Sequence, residues 1–282
     1  MVVLRRKAYA KVNLAFEVLG KREDGYHEVR TLLQTIELWD ELEFLQAEDL
    51  ETRCEGLEIR QEDNLVHRAA KSLQQFSNPR QGARISLWKG IPVSAGLGGG
   101  SADAAVTLNA LNHFWQLGLS AEVIQNFASG LGMDVPFLLR GGTGLGVGRG
   151  DLVTFLPSLV ETWLVLLVPP NNHTSKTGAL YSLLCEQHWS DGSSVDALAN
   201  HVKLCEAFSE ELMVNTFEQV VERAYPAFSE YRDLLSSVSL GRPHLSGAGP
   251  ALYSIAGDRE MGRHACASLR SRGLAAFLVR TI

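Results

Sequence analysis

The sequence predicts an α+β protein with two domains, and three stretches carry that prediction. Residues 8–19 alternate between apolar and other side chains, as a β-strand does. Residues 83–115 contain a short predicted strand, a glycine-rich segment and a helix with apolar side chains every three or four positions. From residue 163 a new set of elements ends in strand, helix and strand, which indicates a second α+β domain. We therefore expect domains over residues 1–158 and 159–282.

The composition is that of an ordinary globular protein and argues against several function classes. The chain has 282 residues, 45% of them hydrophobic and 21% charged, which is enough to bury a large core. A formal net charge of −6 argues against nucleic acid as a partner, although a nucleotide needs only a few amides and lysines. The longest apolar run, residues 163–168, is too short to cross a bilayer, so we expect no membrane partner.

The cysteines and the first residues of the sequence indicate a cellular compartment. The four cysteines are scattered without a Cys-x-x-Cys pair, which favours reduced thiols in a cytosolic-type protein. No signal peptide is visible, because no apolar segment follows the first charged residues. We expect a cytoplasmic protein, or a plastid stromal one if a transit peptide has been removed. The sequence leaves the oligomeric state open.

The first predicted strand carries two polar residues that need an explanation. Its apolar face consists of Ala10, Val12, Leu14, Phe16 and Val18. Lys11 and Asn13 lie on the opposite face, where the periodicity alone favours solvated side chains over a functional pair.

A loop over residues 20–25 ends in an Asp-Gly turn, and Tyr26 and His27 then open a second strand. An aromatic residue and a histidine at such a junction pack more often than they bind. We expect this strand to break at Asp40, before a third strand over residues 42–45.

The glycine-rich segment has the strongest chemical signal. Its residues are Pro92, Val93, Ser94, Ala95, Gly96, Leu97, Gly98, Gly99, Gly100, Ser101 and Ala102. Glycine lets backbone N–H groups converge, and the first N–H groups of the following helix lack internal partners, so the segment predicts an anion site for phosphate. It is not a P-loop, which needs Gly-Lys, nor a Rossmann turn, because Ser101 stands at the third glycine position. A flexible hinge is the alternative.

Helices are predicted on both sides of this segment. One begins at residues 63–64 and ends before residue 78, and another is capped by Ser120. Asp134 then precedes Pro136, which suits the first turn of a short helix, so the pattern favours a helix-start role for Asp134.

The second glycine-rich run, residues 141–150, is predicted to be a strand and a tight turn rather than a phosphate loop, because no strong helix follows it. Residues 189–195 read as a surface loop and residues 246–250 as a small-residue turn. The remaining elements are strands at 163–168, 251–255 and 275–279 and helices at 195–207, 217–225, before Leu235 and at 259–272.

The segment from Pro92 to Ala105 resembles the Pro-x-x-x-Gly-Leu-Gly-Gly-Gly-Ser-x-x-Ala-Ala motif of the GHMP small-molecule kinases. Three other regions narrow the resemblance, and they are Ala10–Leu14 with Asp24–His27, Asp134–Phe137, and Leu245–Gly249. Over nearly the whole chain, the sequence resembles the GHMP kinase family that phosphorylates 4-diphosphocytidyl-2-C-methyl-D-erythritol.

The resemblance implies a two-domain GHMP kinase fold, with an N-terminal ATP-binding domain, a C-terminal ferredoxin-like domain and the active site in the cleft between them. It implies an ATP-dependent kinase that phosphorylates the 2-hydroxyl of this small molecule in the non-mevalonate route to isoprenoids. Mg²⁺ is expected with ATP, and no metal site held by protein side chains is expected.

The resemblance also implies roles for single residues. Asp134 takes the proton of the substrate hydroxyl, and Lys11 beside it keeps that carboxylate ionised and polarises the hydroxyl. Asn13 contacts the substrate near the reacting group. Tyr26 reads the cytosine by stacking, and His27 reads it by a hydrogen bond from its backbone or ring.

In the same family ATP lies over Pro92–Ala102, with Asn64 and Lys89 near the nucleotide. The loop around Thr174 and Ser175 follows the family pattern only loosely, so the sequence leaves open which of the two hydroxyls contacts substrate.

Two alternative functions are weighed against this one. Another GHMP kinase, acting on mevalonate, homoserine or a sugar, would not need the Tyr26–His27 pair. A catalytically inactive ligand-binding regulator on the same fold would usually have lost the base or the loop, and here Lys11, Asp134 and the glycines are all present.

Overall fold

The computed structural model describes residues 3–77, 81–170, 177–206, 210–238 and 240–282. The chain divides into two compact units that interleave along the sequence. Unit 1 comprises Met1–Ala10, Leu38–Val93 and Gly98–Gly141, and unit 2 comprises Lys11–Glu37, Ser94–Leu97 and Gly142–Ile282. The division into residues 1–158 and 159–282 stays a prediction.

Two 19-residue strands, β1 (Val3–Lys21) and β2 (His27–Leu45), contribute to both units. In unit 1, β2 pairs antiparallel with β4 (Ala83–Trp88), and β4 pairs in parallel with β3 (Leu50–Glu55). A parallel pair needs a crossover connection, which here contains α1 (Leu65–Ser77).

Three helices complete unit 1, namely α2 (Gly99–Phe114), α3 (Ala121–Leu131) and α4 (Val135–Leu138). The apolar faces of the helices and of the strands share one core. Its members include Leu42, Phe44, Leu73, Ile85, Leu108, Leu111 and Ile124.

In unit 2, β2 pairs antiparallel with β5 (Thr143–Val147), which pairs antiparallel with β6 (Leu152–Leu156). A second, antiparallel sheet has the order β10-β7-β9-β8. Its strands are β7 (Trp163–Val168), β8 (His244–Leu245), β9 (Leu252–Ala256) and β10 (Ala275–Arg280).

Four helices of unit 2 pack on a core that contains Phe16, Val165, Leu167, Phe217, Leu235, Leu252 and Leu269. They are α5 (Thr177–Leu183), α7 (Val221–Ala224), α8 (Phe228–Ser236) and α9 (Arg259–Ser271). The unit also contains α6 (Ser193–Leu204). Short 3₁₀ turns lie at Glu186–His188, Glu210–Leu212 and Thr216–Gln219. The two sheets with their helices confirm the α+β class.

The expectations for β1 and β2 need correction. β1 is buried on both faces, so Lys11 and Asn13 are 4% and 3% exposed rather than solvated. β2 runs through Asp40 without a break, because the buried Asp40 carboxylate finds partners inside unit 1.

Most other elements are confirmed to within a few residues, including the strand and turn reading of the second glycine-rich run. The predicted helix over 217–225 is instead a 3₁₀ turn followed by α7, and α6 begins within the predicted loop over 189–195. Three short elements, β3, α5 and β8, were not predicted from the sequence.

Candidate functional site

The glycine-rich segment ends at the N-terminus of α2. Gly98 occupies the N-cap position in the left-handed region, with φ of 71°, and has no side chain to cap the helix. Its carbonyl oxygen accepts the first helical bond, from the amide of Ala102 at 2.8 Å. The amides before Ala102 therefore depend on an external partner, which an anion supplies.

Two of the glycines also lie in close packing. A Cβ on Gly99 would lie 3.1 Å from Cγ2 of Ile91 and 3.3 Å from Nζ of Lys89, both in unit 1. A Cβ on Gly96 would lie only 2.3 Å from the carbonyl oxygen of Ser246, in unit 2. Glycine at these positions therefore fixes the path of the segment, which argues against a flexible hinge.

Beneath the start of α2, Lys89 is held by two buried carboxylates. Its ammonium donates to Oδ2 of Asp40 and, at 2.8 Å, to Oδ2 of Asp103. The other oxygen of Asp40 accepts the amides of Gly90 and Ile91 at 2.7 and 2.8 Å. Oδ1 of Asp103 is buried and has no hydrogen-bond partner among the described residues.

The charges of this cluster depend on burial. Burial opposes the charge of Lys89, but the two carboxylates outweigh that cost and raise its pKa. Burial also raises the pKa of Asp103 to about 7, because the attraction of Lys89 offsets only part of the desolvation. The cluster thus changes its charge near neutral pH.

The structure gives Asn64 and Asp134 different local roles. Asn64 lies directly before α1, and its side-chain oxygen accepts the amide of Val66 at 3.0 Å, as in a helix cap. Asp134 lies at the N-cap position of α4, but its side chain makes no capping hydrogen bond. The helix-start role that the pattern favoured for Asp134 is therefore not the role of its carboxylate.

The segment before Asp134 packs on the glycine-rich segment within unit 1. A Cβ on Gly132 would lie 3.8 Å from Oγ of Ser101. The carboxylate proposed as a base and the proposed anion site thus belong to neighbouring parts of one unit.

In unit 2, a chain of buried polar groups runs along β1 and β2. Lys11 donates to Oδ1 of Asn13 at 2.6 Å, the Asn13 amide donates to Oγ1 of Thr31 at 2.8 Å, and Thr31 donates to the carbonyl of Ala15 at 2.9 Å. Gly247 approaches this chain closely, because a Cβ there would lie 2.9 Å from Oδ1 of Asn13. The resulting pair presents an ammonium and an amide in a fixed geometry.

Tyr26 and His27 have unlike surroundings in unit 2. Tyr26 is 49% exposed, and the guanidinium of Arg149 lies over its ring at 5.0 Å from the centroid. The His27 ring stacks on Tyr181 with centroids 4.7 Å apart. Burial, aided by the charge of Lys21, lowers the pKa of His27, so its neutral ring has one donor and one acceptor nitrogen at pH 7.

Sequence reasoning missed several residues that the structure brings to these places. Thr31, Tyr181 and Arg149 lie within strands, a helix or a turn that carried no chemical motif of its own. Asp40 was interpreted as a strand break, and it stands among other acidic residues (Glu37, Glu41 and Glu43), so the sequence did not single it out. Thr174 and Ser175 lie outside the described residues.

The described residues contain no group of three or more His, Cys, Asp or Glu side chains placed to hold a metal ion. Over the same residues, no helix combines the length and the apolar character needed to cross a bilayer.

The chain is similar to known proteins over most of its length. Residues 64–142 match the family described as GHMP kinases N terminal domain. A 4-diphosphocytidyl-2-C-methyl-D-erythritol kinase of Dehalococcoides mccartyi is 35% identical over 277 residues, which are 98% of this chain and 97% of that protein.

Solved structures share the fold. A crystal structure of 4-(cytidine 5'-diphospho)-2C-methyl-D-erythritol kinase has a TM-score of 0.84 at 30% identity and covers 99% of both chains. The homoserine kinase of Cytophaga hutchinsonii has a TM-score of 0.73 at 17% identity, covering 99% of this chain and 94% of that one, which shows the fold alone.

Proposed function

Since the chain belongs to the 4-diphosphocytidyl-2-C-methyl-D-erythritol kinase family of GHMP kinases, we propose that it transfers a phosphoryl group from ATP to the 2-hydroxyl of 4-diphosphocytidyl-2-C-methyl-D-erythritol. The observation that carries this proposal is 35% identity to such a kinase over 98% of the chain. The reaction is a step of the non-mevalonate route to isoprenoids, and we place it in the cytoplasm.

The start of α2 is suited to bind the phosphates of a nucleoside triphosphate. Gly98 leaves the helix without a side-chain cap, so the amides of the first turn are available to phosphate oxygens. ATP supplies the phosphoryl group when bound, with Mg²⁺ neutralising charge on its phosphates. The residues proposed to hold the nucleotide are those from Pro92 to Ala102, together with Asn64 and Lys89.

The acceptor hydroxyl needs a base and a fixed position. Asp134 is proposed to accept its proton, and Lys11 is proposed to hold the hydroxyl and the developing negative charge. Asn13 supports this role, because its hydrogen bonds to Lys11 and Thr31 fix the ammonium in one place on β1. Phosphoryl transfer depends mainly on such positioning.

The cytosine is proposed to bind at Tyr26 and His27. The exposed ring of Tyr26 offers a stacking face, and the neutral His27 ring, held against Tyr181, offers polar nitrogens. Either Thr174 or Ser175 is proposed to contact the substrate as well.

The alternative acceptors have less support. The homoserine kinase shares only 17% of its residues with this chain, whereas the cytidyl-substrate kinases share 30–35%. An inactive regulator would usually have lost the base or the glycine-rich segment, and here Lys11, Asp134 and the glycines are all present.

A coupled ADP-release assay across a panel of acceptor alcohols tests the proposal. We expect turnover with the cytidyl substrate and none above background with mevalonate, homoserine or a hexose, with ³¹P NMR locating the new phosphate on the 2-hydroxyl. Turnover of another alcohol in place of the cytidyl substrate would overturn the proposal and leave the fold unaffected.

A further inference from the structure

The side chain of Asp40 makes several hydrogen bonds that β-strand pairing does not need. It is fully buried within β2, and its two oxygens accept three hydrogen bonds. Two come from the amides of the turn at Gly90 and Ile91, and the third comes from the ammonium of Lys89. One carboxylate therefore fixes both the turn that leads into the glycine-rich segment and the side chain of Lys89.

Lys89 in turn reaches the first residues of α2. Its ammonium binds Asp103, and it packs so closely against Gly99 that a Cβ there would lie 3.3 Å from Nζ. An ammonium has three donors, and these two carboxylates use two of them. The third N–H is left to a ligand at the helix N-terminus.

Stability alone gives a poor account of this cluster. A buried ion pair is commonly no more stabilising than apolar side chains of the same volume, because desolvation cancels most of the attraction. Here two carboxylates share a single ammonium, and one carboxylate oxygen has no partner. Such an arrangement indicates that the placement of the ammonium is what the cluster provides.

We infer that Asp40 is a positioning residue of the nucleotide site, acting through Lys89 and the turn at Gly90–Ile91. The inference rests on the proposed function, in which Lys89 contacts the nucleotide. Asp40 itself touches no substrate. Its loss should weaken nucleotide binding and leave unchanged the binding of the acceptor, whose proposed contacts Asn13, Tyr26 and His27 belong to unit 2.

The test is Asp40→Asn, which keeps an oxygen for the two amides of the turn and removes the charge that holds Lys89. We expect KM for ATP to rise about tenfold, the usual effect of one hydrogen bond to a charged group, with kcat and the acceptor KM within about twofold. Asp40→Glu should recover part of the loss. Glu51→Gln, which breaks the exposed Glu51–Arg84 pair on neighbouring strands, is the matched control.

A double-mutant cycle separates positioning from general damage. In a Lys89→Met background Asp40→Asn should have no further effect on KM for ATP, since its action passes through the missing ammonium. The same fold-change in both backgrounds, or an unchanged KM in Asp40→Asn, overturns the inference. If Asp40→Asn does not fold, Asp103→Asn takes its place, because it loosens the same ammonium and should raise KM for ATP likewise. A wild-type chain without kinase activity would instead refute the proposed function.

Discussion

Two lysines with proposed roles are held in place by specific hydrogen-bond partners. Lys11 has Asn13, Asn13 has Thr31, and Lys89 has Asp40 and Asp103. Burying such groups costs free energy unless they are hydrogen-bonded, so these partners keep the two ammonium groups in place within their units.

At the residue scale, Asp134→Asn should lower kcat by roughly 10²–10⁴-fold, because an amide cannot accept the hydroxyl proton. KM for ATP should change little. Lys11→Met should cost a comparable factor, and the double variant should be less than multiplicative if the two residues act as a unit. Steady-state assays measure all three variants, with the exposed Glu122→Gln as control, and near-normal turnover of Asp134→Asn would reject its role as the base.

The raised pKa of Asp103 predicts how the stability of the folded chain depends on pH. Its folded-state pKa of about 7 lies above the ordinary 3.8, so proton binding at Asp103 stabilises the folded chain below about pH 4. That contribution is lost as the pH rises through about 7. Asp103→Asn has no such proton, so its melting temperature relative to wild type should rise between pH 5 and pH 8. Each kcal/mol of unfolding free energy that the wild type loses over this range corresponds to about 2–4 °C. Parallel melting curves against pH would contradict it.

At the scale of elements, local signals predicted α1, β4, α2 and α3 well, because caps, glycines and apolar spacing lie within each segment. They failed where pairing with a neighbouring strand determines the local structure. β3 forms by parallel pairing with β4, and β8 is only two residues opposite β9. β1 is buried on both faces, so alternation could not show that Lys11 is inside.

The next prediction concerns nucleotide binding by the glycine-rich segment. Gly98→Val should raise KM for ATP strongly while the protein stays folded, because a β-branched residue resists the left-handed φ of 71° that starts α2. Gly130→Ala is the control, since it lies in α3 with nothing within 4 Å of the added methyl group. Isothermal titration with a non-hydrolysable ATP analogue measures binding, and equal affinity in Gly98→Val would move the phosphate site elsewhere.

At the scale of the whole molecule, the residues with proposed roles come from both units. Asp134 and Lys89 belong to unit 1, whereas Lys11 and Tyr26 belong to unit 2. Composition could not show that β1 and β2 each contribute residues to both units, because that division follows from contacts in the folded chain. Motifs supplied the residues, and only the folded chain shows their partners Thr31, Tyr181 and Asp40.

This distribution predicts that acceptor and nucleotide recognition are separable. Tyr26→Ala removes the exposed ring that is proposed to stack on cytosine. KM for the cytidyl substrate should therefore rise by a factor that corresponds to about 1–3 kcal/mol of lost binding free energy. KM for ATP should not change, in contrast to Gly98→Val. Tyr26→Phe keeps the ring and the contact face under Arg149 and should retain most of the affinity. An equal rise in both KM values for Tyr26→Ala, or none in either, would show that Tyr26 does not read the base.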